Sequence, residues 1–149
     1  MKNHPYEEVA YEIVSLENVN SHIGMGMIGN LGKSMDVKEF LLHVKQKMKI
    51  PVIRHSVLPS KKVQRIAVLG GSGGFAIAAA KKAKADIFLT SDLKYHQFFE
   101  AESDLILADI GHFESEQFTK DLLVDYLTEK IPNFAVALSE SVTNPIKYL

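Results

Sequence analysis

Apolar residues recur with a period near two over residues 8–16, where Val9, Tyr11, Ile13 and Val14 stand among polar neighbours, and this predicts a strand closed by a polar turn at 17–21. Residues 24–32 form a short strand punctuated by Gly24, Gly26, Gly29 and Gly32. From Ser34, read as a helix cap, the period changes: Val37, Phe40, Leu41, Val44 and Met48 recur at helical spacing until Pro51 stops the run. Strands are expected at 51–57 and 62–69, a glycine turn at 70–74 and an alanine-rich helix at 75–84. A buried-type strand follows at 86–90, a short helix at 94–101 and another strand at 105–110. A long helix is expected over 114–130, with Phe118, Leu122, Leu123, Tyr126 and Leu127 on one stripe, and a closing strand over 134–138. From Val63 onward the strands are apolar without alternation and are separated by helices. That pattern belongs to an α/β fold whose sheet, mainly parallel or mixed, carries helices on both faces.

Composition narrows what such a fold can do. With 149 residues, 46% of them hydrophobic and 23% charged, the chain can bury a core without covalent or metal staples. The absence of cysteine excludes disulfides and thiolate metal sites, so any metal must be held by histidine, carboxylate and water, a set that suits zinc, manganese or iron. A formal charge of −1 leaves no electrostatic footprint for nucleic acid, and Lys61, Lys62, Lys81, Lys82 and Lys84 read as solvated surface. No apolar run reaches the roughly 18 residues of a membrane span, and residues 1–5 lack the apolar stretch of a signal peptide. No membrane partner and a cytoplasmic location are therefore expected.

Chemistry concentrates where three successive predicted strands end, the edge at which α/β sheets bind ligands. The first end delivers Gly70, Gly71, Ser72, Gly73 and Gly74, which either cradle an anion on backbone N–H groups or make a tight turn with close helix packing. They match neither the dinucleotide fingerprint nor the P-loop. The second end delivers Asp92, read mainly as a helix cap, with Lys94, Tyr95 and His96. His96 is a candidate metal ligand, proton shuttle or substrate contact, or an exposed histidine. The third delivers Asp109, Gly111, His112 and Glu116. His112 and Glu116, four apart at a helix start, share one face and make half of a metal site, and Asp109 is placed to orient His112. His4, His22, His43 and His55 read as structural or exposed.

The segments 68–74 (Val-Leu-Gly-Gly-Ser-Gly-Gly), 90–96 (Thr-Ser-Asp-Leu-Lys-Tyr-His) and 109–116 (Asp-Ile-Gly-His-Phe-Glu-Ser-Glu), in that order, resemble the Nif-three-like family, many of whose bacterial members are called GTP cyclohydrolase I type 2 or dinuclear metal-centre proteins. Residues 26–31 resemble its glycine-bounded strand, and residues 4–13 resemble the end of the PII-like or CutA-like insert of longer members. The resemblance implies two domains here: 1–16 as the end of that insert and 17–149 as the C-terminal α/β domain. It implies a site of two divalent metals to which His112 and Glu116 contribute. The other ligands, a His-His pair and an Asp in the family's N-terminal half, have no counterpart in this sequence, so the chain reads as a fragment. Two cations about 3.5–4 Å apart repel, and one histidine with one glutamate cannot hold both; weak single-metal binding or none is expected.

By resemblance, then, the chain is part of a metal-dependent hydrolase acting on a nucleotide or another phosphate-bearing small molecule, inactive alone, with copies of itself as partners in a hexameric toroid. The alternative is a non-enzymatic oligomeric module that senses or binds metal or nucleotide.

Overall fold

The computed structural model describes Val14 and residues 23–149. The strand expected over 8–16 lies outside the described residues, as do His4 and His22. Strand β1 (Met27–Asp36) leads into helix α1 (Val37–Lys47), and β2 (Arg54–His55) and β3 (Lys62–Ser72) follow. A 3₁₀ turn over Gly74–Ala76 opens α2 (Ile77–Lys82), and a second over Tyr95–Ala101 separates β4 (Ile87–Ser91) from β5 (Ile106–Asp109). Helices α3 (His112–Glu116) and α4 (Thr119–Lys130) complete the order.

The five strands form one sheet in the order β1-β3-β4-β5-β2. Its centre, β3-β4-β5, is parallel, and both flanking strands run antiparallel. Adjacent residues on each central strand face opposite ways, so each strand serves two cores. Ile66, Ile87 and Ile106 pack with Val37, Phe40, Leu41 and Val44 of α1. Their neighbours Ala67, Phe88 and Leu107 pack with Ile77 and Ala80 of α2. The unbroken apolar runs of the sequence are the mark of this two-sided burial, and the fold is α/β as expected. Among the described residues no helix is long and apolar enough to cross a membrane.

Several local expectations are corrected. Ser34 lies within β1, whose pairing with β3 continues to Asp36 opposite Lys62. The cap of α1 is Asp36, whose Oδ1 accepts from the N–H groups of Lys38 at 2.9 Å and Glu39 at 3.3 Å. Only Arg54 and His55 of the 51–57 run pair with the sheet, opposite Asp109 and Ala108 of β5. No strand forms over 134–138, and β2 occupies the edge of β5. The long C-terminal helix is two helices: the Glu114 carbonyl accepts from the Gln117 side chain at 3.1 Å, and Gln117 also reaches the Met48 carbonyl at 2.8 Å, so the helical ladder breaks there. The apolar stripe of α4 is not core either, with Leu122 68% and Tyr126 56% exposed.

β1 is irregular. Between the pairs Asn30–Arg65 and Met35–Val63 its register against β3 shifts, which bulges the strand, the outermost on its side of the sheet among the described residues.

Candidate functional site

Because β3, β4 and β5 are parallel, the segments leaving their C-terminal ends meet on one side of the sheet. β3 runs further than expected, through Gly70 and Gly71 to Ser72, where it pairs with Ser91. Gly71, at φ +70°, is the point of closest approach: a Cβ built there would stand 2.6 Å from Glu116 Oε1 and 3.5 Å from His112 Cε1. The glycine is thus fixed both by a backbone angle that disfavours side chains and by the two residues above it.

His112 opens α3, and Glu116 ends it one turn later. The His112 Nε2 faces Glu116 Oε2 at 3.4 Å. Its other ring nitrogen, Nδ1, lies 2.6 Å from Asp92 Oδ2. Asp92 sits in the left-handed region at φ +55°, which Asp tolerates better than most residues, and its Oδ2 also accepts from the Ser72 hydroxyl at 2.8 Å. An ionised Asp92 only accepts, so Nδ1 carries a proton, and in the neutral ring the lone pair is left on Nε2, on the side of Glu116. The hydrogen bond that His112 donates to Asp92 raises the His112 pKa above the ordinary imidazole value of 6.5, and the same bond, seconded by Ser72, lowers that of Asp92.

Asp92 therefore takes the orienting role that the sequence reading gives to Asp109, and it caps no helix. Asp109, 5% exposed, turns the other way: it pairs with Arg54 and accepts from the N–H groups of Leu93 at 3.0 Å and Gly111 at 3.1 Å. His96 and Lys94 are both exposed; the Lys94 N–H donates to Gln97 Oε1 at 2.8 Å, and His96 makes no hydrogen bond to a described residue. Of the glycine segment, the Gly71 N–H donates to Ser115 Oγ at 2.8 Å and the Gly73 N–H to the Ser91 carbonyl at 3.3 Å. Gly73 packs on the Thr90 side chain and Gly74 on that of Gln97. These contacts are those of a close-packed bend, and an anion seated there would have to displace two of its N–H bonds.

Two residues of this region escape sequence reasoning. Arg54 arrives on a two-residue strand too short to show a period. Glu114 lies between the two site residues of α3 yet is 5% exposed. Its Oε1 accepts from Asn144 Nδ2 at 3.1 Å and from the Tyr148 hydroxyl at 3.3 Å, while Oε2 has no hydrogen-bond partner among the described residues and lies against Gly111. Burial, with the nearby Glu114 charge, raises the Tyr148 pKa. Among the described residues no group of three or more His, Asp or Glu side chains is arranged so that it could hold a metal ion.

The chain matches the model of a family described as Duf34/NIF3 (NGG1p interacting factor 3) over residues 4–145. A GTP cyclohydrolase 1 type 2 homolog from Bacillus subtilis (strain 168) is 36% identical over 154 residues, covering 100% of this chain and 41% of the relative. A protein of the same name from Staphylococcus epidermidis is 33% identical over 153 residues, with 99% and 41% covered. Among solved structures, a Bacillus cereus protein related to NIF3 superposes with a TM-score of 0.74 at 34% identity, covering 98% of this chain and 42% of the other. A Staphylococcus aureus protein gives 0.77 at 29% identity, with 99% and 49% covered. The chain spans about two-fifths of the length of these curated relatives.

Proposed function

The chain belongs to the Duf34/NIF3 family, and from that premise we propose that it supplies one side of a metal-dependent hydrolase centre, with His112 and Glu116 as ligands to a divalent cation. One observation carries the reading: Asp92 holds the Nδ1 proton of His112 and so leaves Nε2 as a donor beside the Glu116 carboxylate, 3.4 Å away. A carboxylate behind a histidine with a second donor in front is the usual support of a metal-bound imidazole. An imidazole and a carboxylate suit zinc, manganese or iron.

When bound, such a cation would supply Lewis acidity and lower the pKa of a coordinated water. The chain's own residues prepare the place for it. Asp92 and Ser72 fix the ring orientation, Gly71 keeps the space beneath the pair free of a side chain, and Ser115 ties the Gly71 N–H to the start of α3 by donating to the His112 carbonyl at 2.8 Å. The name carried by the relatives suggests the purine ring of GTP as the substrate. Two donors are too few to offset the repulsion between two cations, so the reading needs further ligands from outside these residues, and the chain alone is expected to be inactive. Copies of the chain itself are the proposed partners.

Calorimetric titration of the chain with zinc and manganese tests this. Weak binding of a single ion, abolished in both His112→Ala and Glu116→Gln, is expected. Two tightly bound ions per chain, or binding that survives both substitutions, would overturn it.

A further inference from the structure

The 2.6 Å contact between Asp92 and His112 joins two segments twenty residues apart in sequence, each leaving the end of a different strand. Both segments depart from ordinary backbone beside the contact: Asp92 lies at φ +55°, and Gly111, the residue before His112, at φ +88°. A slip of about 1 Å between them would open the contact beyond hydrogen-bonding range. The two main chains must therefore be fixed against each other.

One carboxylate links them. Asp109 Oδ2 accepts from the N–H of Leu93, the residue after Asp92, at 3.0 Å, and Oδ1 accepts from the N–H of Gly111 at 3.1 Å. Arg54 closes the link: Nη2 donates to Asp109 Oδ2 and to the Leu93 carbonyl at 2.8 Å, so Leu93 is held by both its N–H and its carbonyl. Arg54 is itself fixed twice, by pairing opposite Asp109 between β2 and β5 and by lying over the Phe98 ring, 5.6 Å from the centroid. Asp109 is buried, and a buried carboxylate stays charged only against such a partner. Neither Arg54 nor Asp109 hydrogen-bonds to His112 or Glu116 side chains, so their hold on the pair passes through the main chain.

We propose that Arg54 and Asp109 are a pair of positioning residues: by tying Leu93 to Gly111 they set the separation of Asp92 from His112 and so select the ring form that keeps its proton on Nδ1 and its lone pair on Nε2. Without that tie Asp92 drifts from the ring, and His112 is free to donate from Nε2 to Glu116 Oε2 instead, which occupies the nitrogen a cation needs. The inference rests on the metal-centre reading for the use made of the free Nε2. The selection of the ring form itself needs no metal.

The test is therefore run in chelator, at a pH where the His112 ring is neutral, with the nitrogen shifts of the ring recorded by NMR as the measure of which nitrogen carries the proton. Asp109→Asn replaces an acceptor by an amide that cannot take both N–H groups, and Arg54→Met combined with Asp109→Asn removes both charges together. In each, the parent's Nδ1-protonated form should give way to a mixture with the Nε2-protonated one. Val63→Ala, a loss of buried packing at the far end of β3 from Ser72, should lower the melting temperature yet leave the ring form as in the parent, which separates positioning from general loosening. In the parent chain the Leu93 and Gly111 amides should resist hydrogen exchange, a measurement that needs no variant to fold. Unprotected Leu93 or Gly111 amides overturn the proposal, as does a parent-like ring form in either folded variant that lacks the Asp109 carboxylate. Val63→Ala disturbing the ring as much as those variants do would overturn it too. None of these results enters the calorimetry of His112 and Glu116, so the two readings fail separately.

Discussion

Replacing Gly71 by alanine separates two costs that the structure superimposes at one atom. The first is conformational: at φ +70° a residue with a Cβ carries about 1–2 kcal/mol of strain that glycine escapes. The second is steric, because the new methyl would stand 2.6 Å from Glu116 Oε1. That oxygen ends a flexible side chain 52% exposed, so it can swing away, and the steric cost falls on the His112–Glu116 pair more than on the fold. For a chain of this size each kcal/mol lowers the melting temperature by about 2–4 °C, so Gly71→Ala should melt about 2–8 °C early, and the zinc affinity of the half-site should fall with it. Gly71→Ala combined with Glu116→Ala removes the collision but keeps the strain. Its melting temperature should therefore fall by less than the two single losses summed. Gly73→Ala is the internal contrast: its methyl would collide with the fully buried Thr90 side chain, which cannot move aside, and should cost about 1–3 kcal/mol or more. The reasoning is refuted if Gly71→Ala melts within a degree of the parent protein, or if the double variant loses the full sum of the single losses.

Four further outcomes follow from the same geometry. In an NMR titration, Asp92→Asn should move the His112 midpoint down toward 6.5, since the Asp92 hydrogen bond is what raises it; a raised folded pKa means that the pair stabilises the fold fully below the unfolded imidazole value and loses that contribution as pH rises through the folded one. Metal binding, which needs the deprotonated ring, should accordingly strengthen as pH rises through the His112 midpoint, and calorimetry across that range would reveal a flat profile if the ring were uninvolved. Glu114→Met should leave stability within about 1 kcal/mol, because the two lost hydrogen bonds are offset by removing an unpartnered buried oxygen, yet hydrogen exchange over residues 144–148 should accelerate; unchanged protection there would show that Glu114 does not anchor the tail. Leu122→Glu on the exposed stripe of α4 should change unfolding free energy by no more than about 0.5 kcal/mol in a denaturant melt, and a larger loss would mean that something covers that face.

How much of this was legible in the sequence depended on how many residues each feature spans. The central strands could be read because pairs such as Ile66 with Ala67 and Ile87 with Phe88 are apolar on both faces, a signal repeated over several positions. The convergence of the glycine segment with His112 and Glu116 followed from the strand-helix alternation, and the built Cβ of Gly71 touches both side chains. What escaped depended on single long-range contacts. Asp92 looks like a cap until its positive φ aims it at His112, twenty residues on. Asp109 and Arg54 meet only because two residues pair with β5. Glu114 looks like helix surface, and its burial comes from a tail thirty residues away. The stripe of α4 had the right spacing for a core helix, but spacing records that a face is apolar and not that anything packs on it.

The bulged outer strand carries a consequence for handling the protein. Straight, regular margins of β-structure act as templates on which other chains stack, and distortion is one of the ways natural proteins spoil that template. Here the register slip between Asn30 and Met35, in a stretch bearing Gly29, Gly32 and Lys33, interrupts the row of backbone groups along that margin. Fibre growth by strand addition should for that reason start poorly from this side, and straightening it, for example by deleting residues 31–33, is the change most apt to turn a well-behaved preparation into one that deposits ordered aggregates.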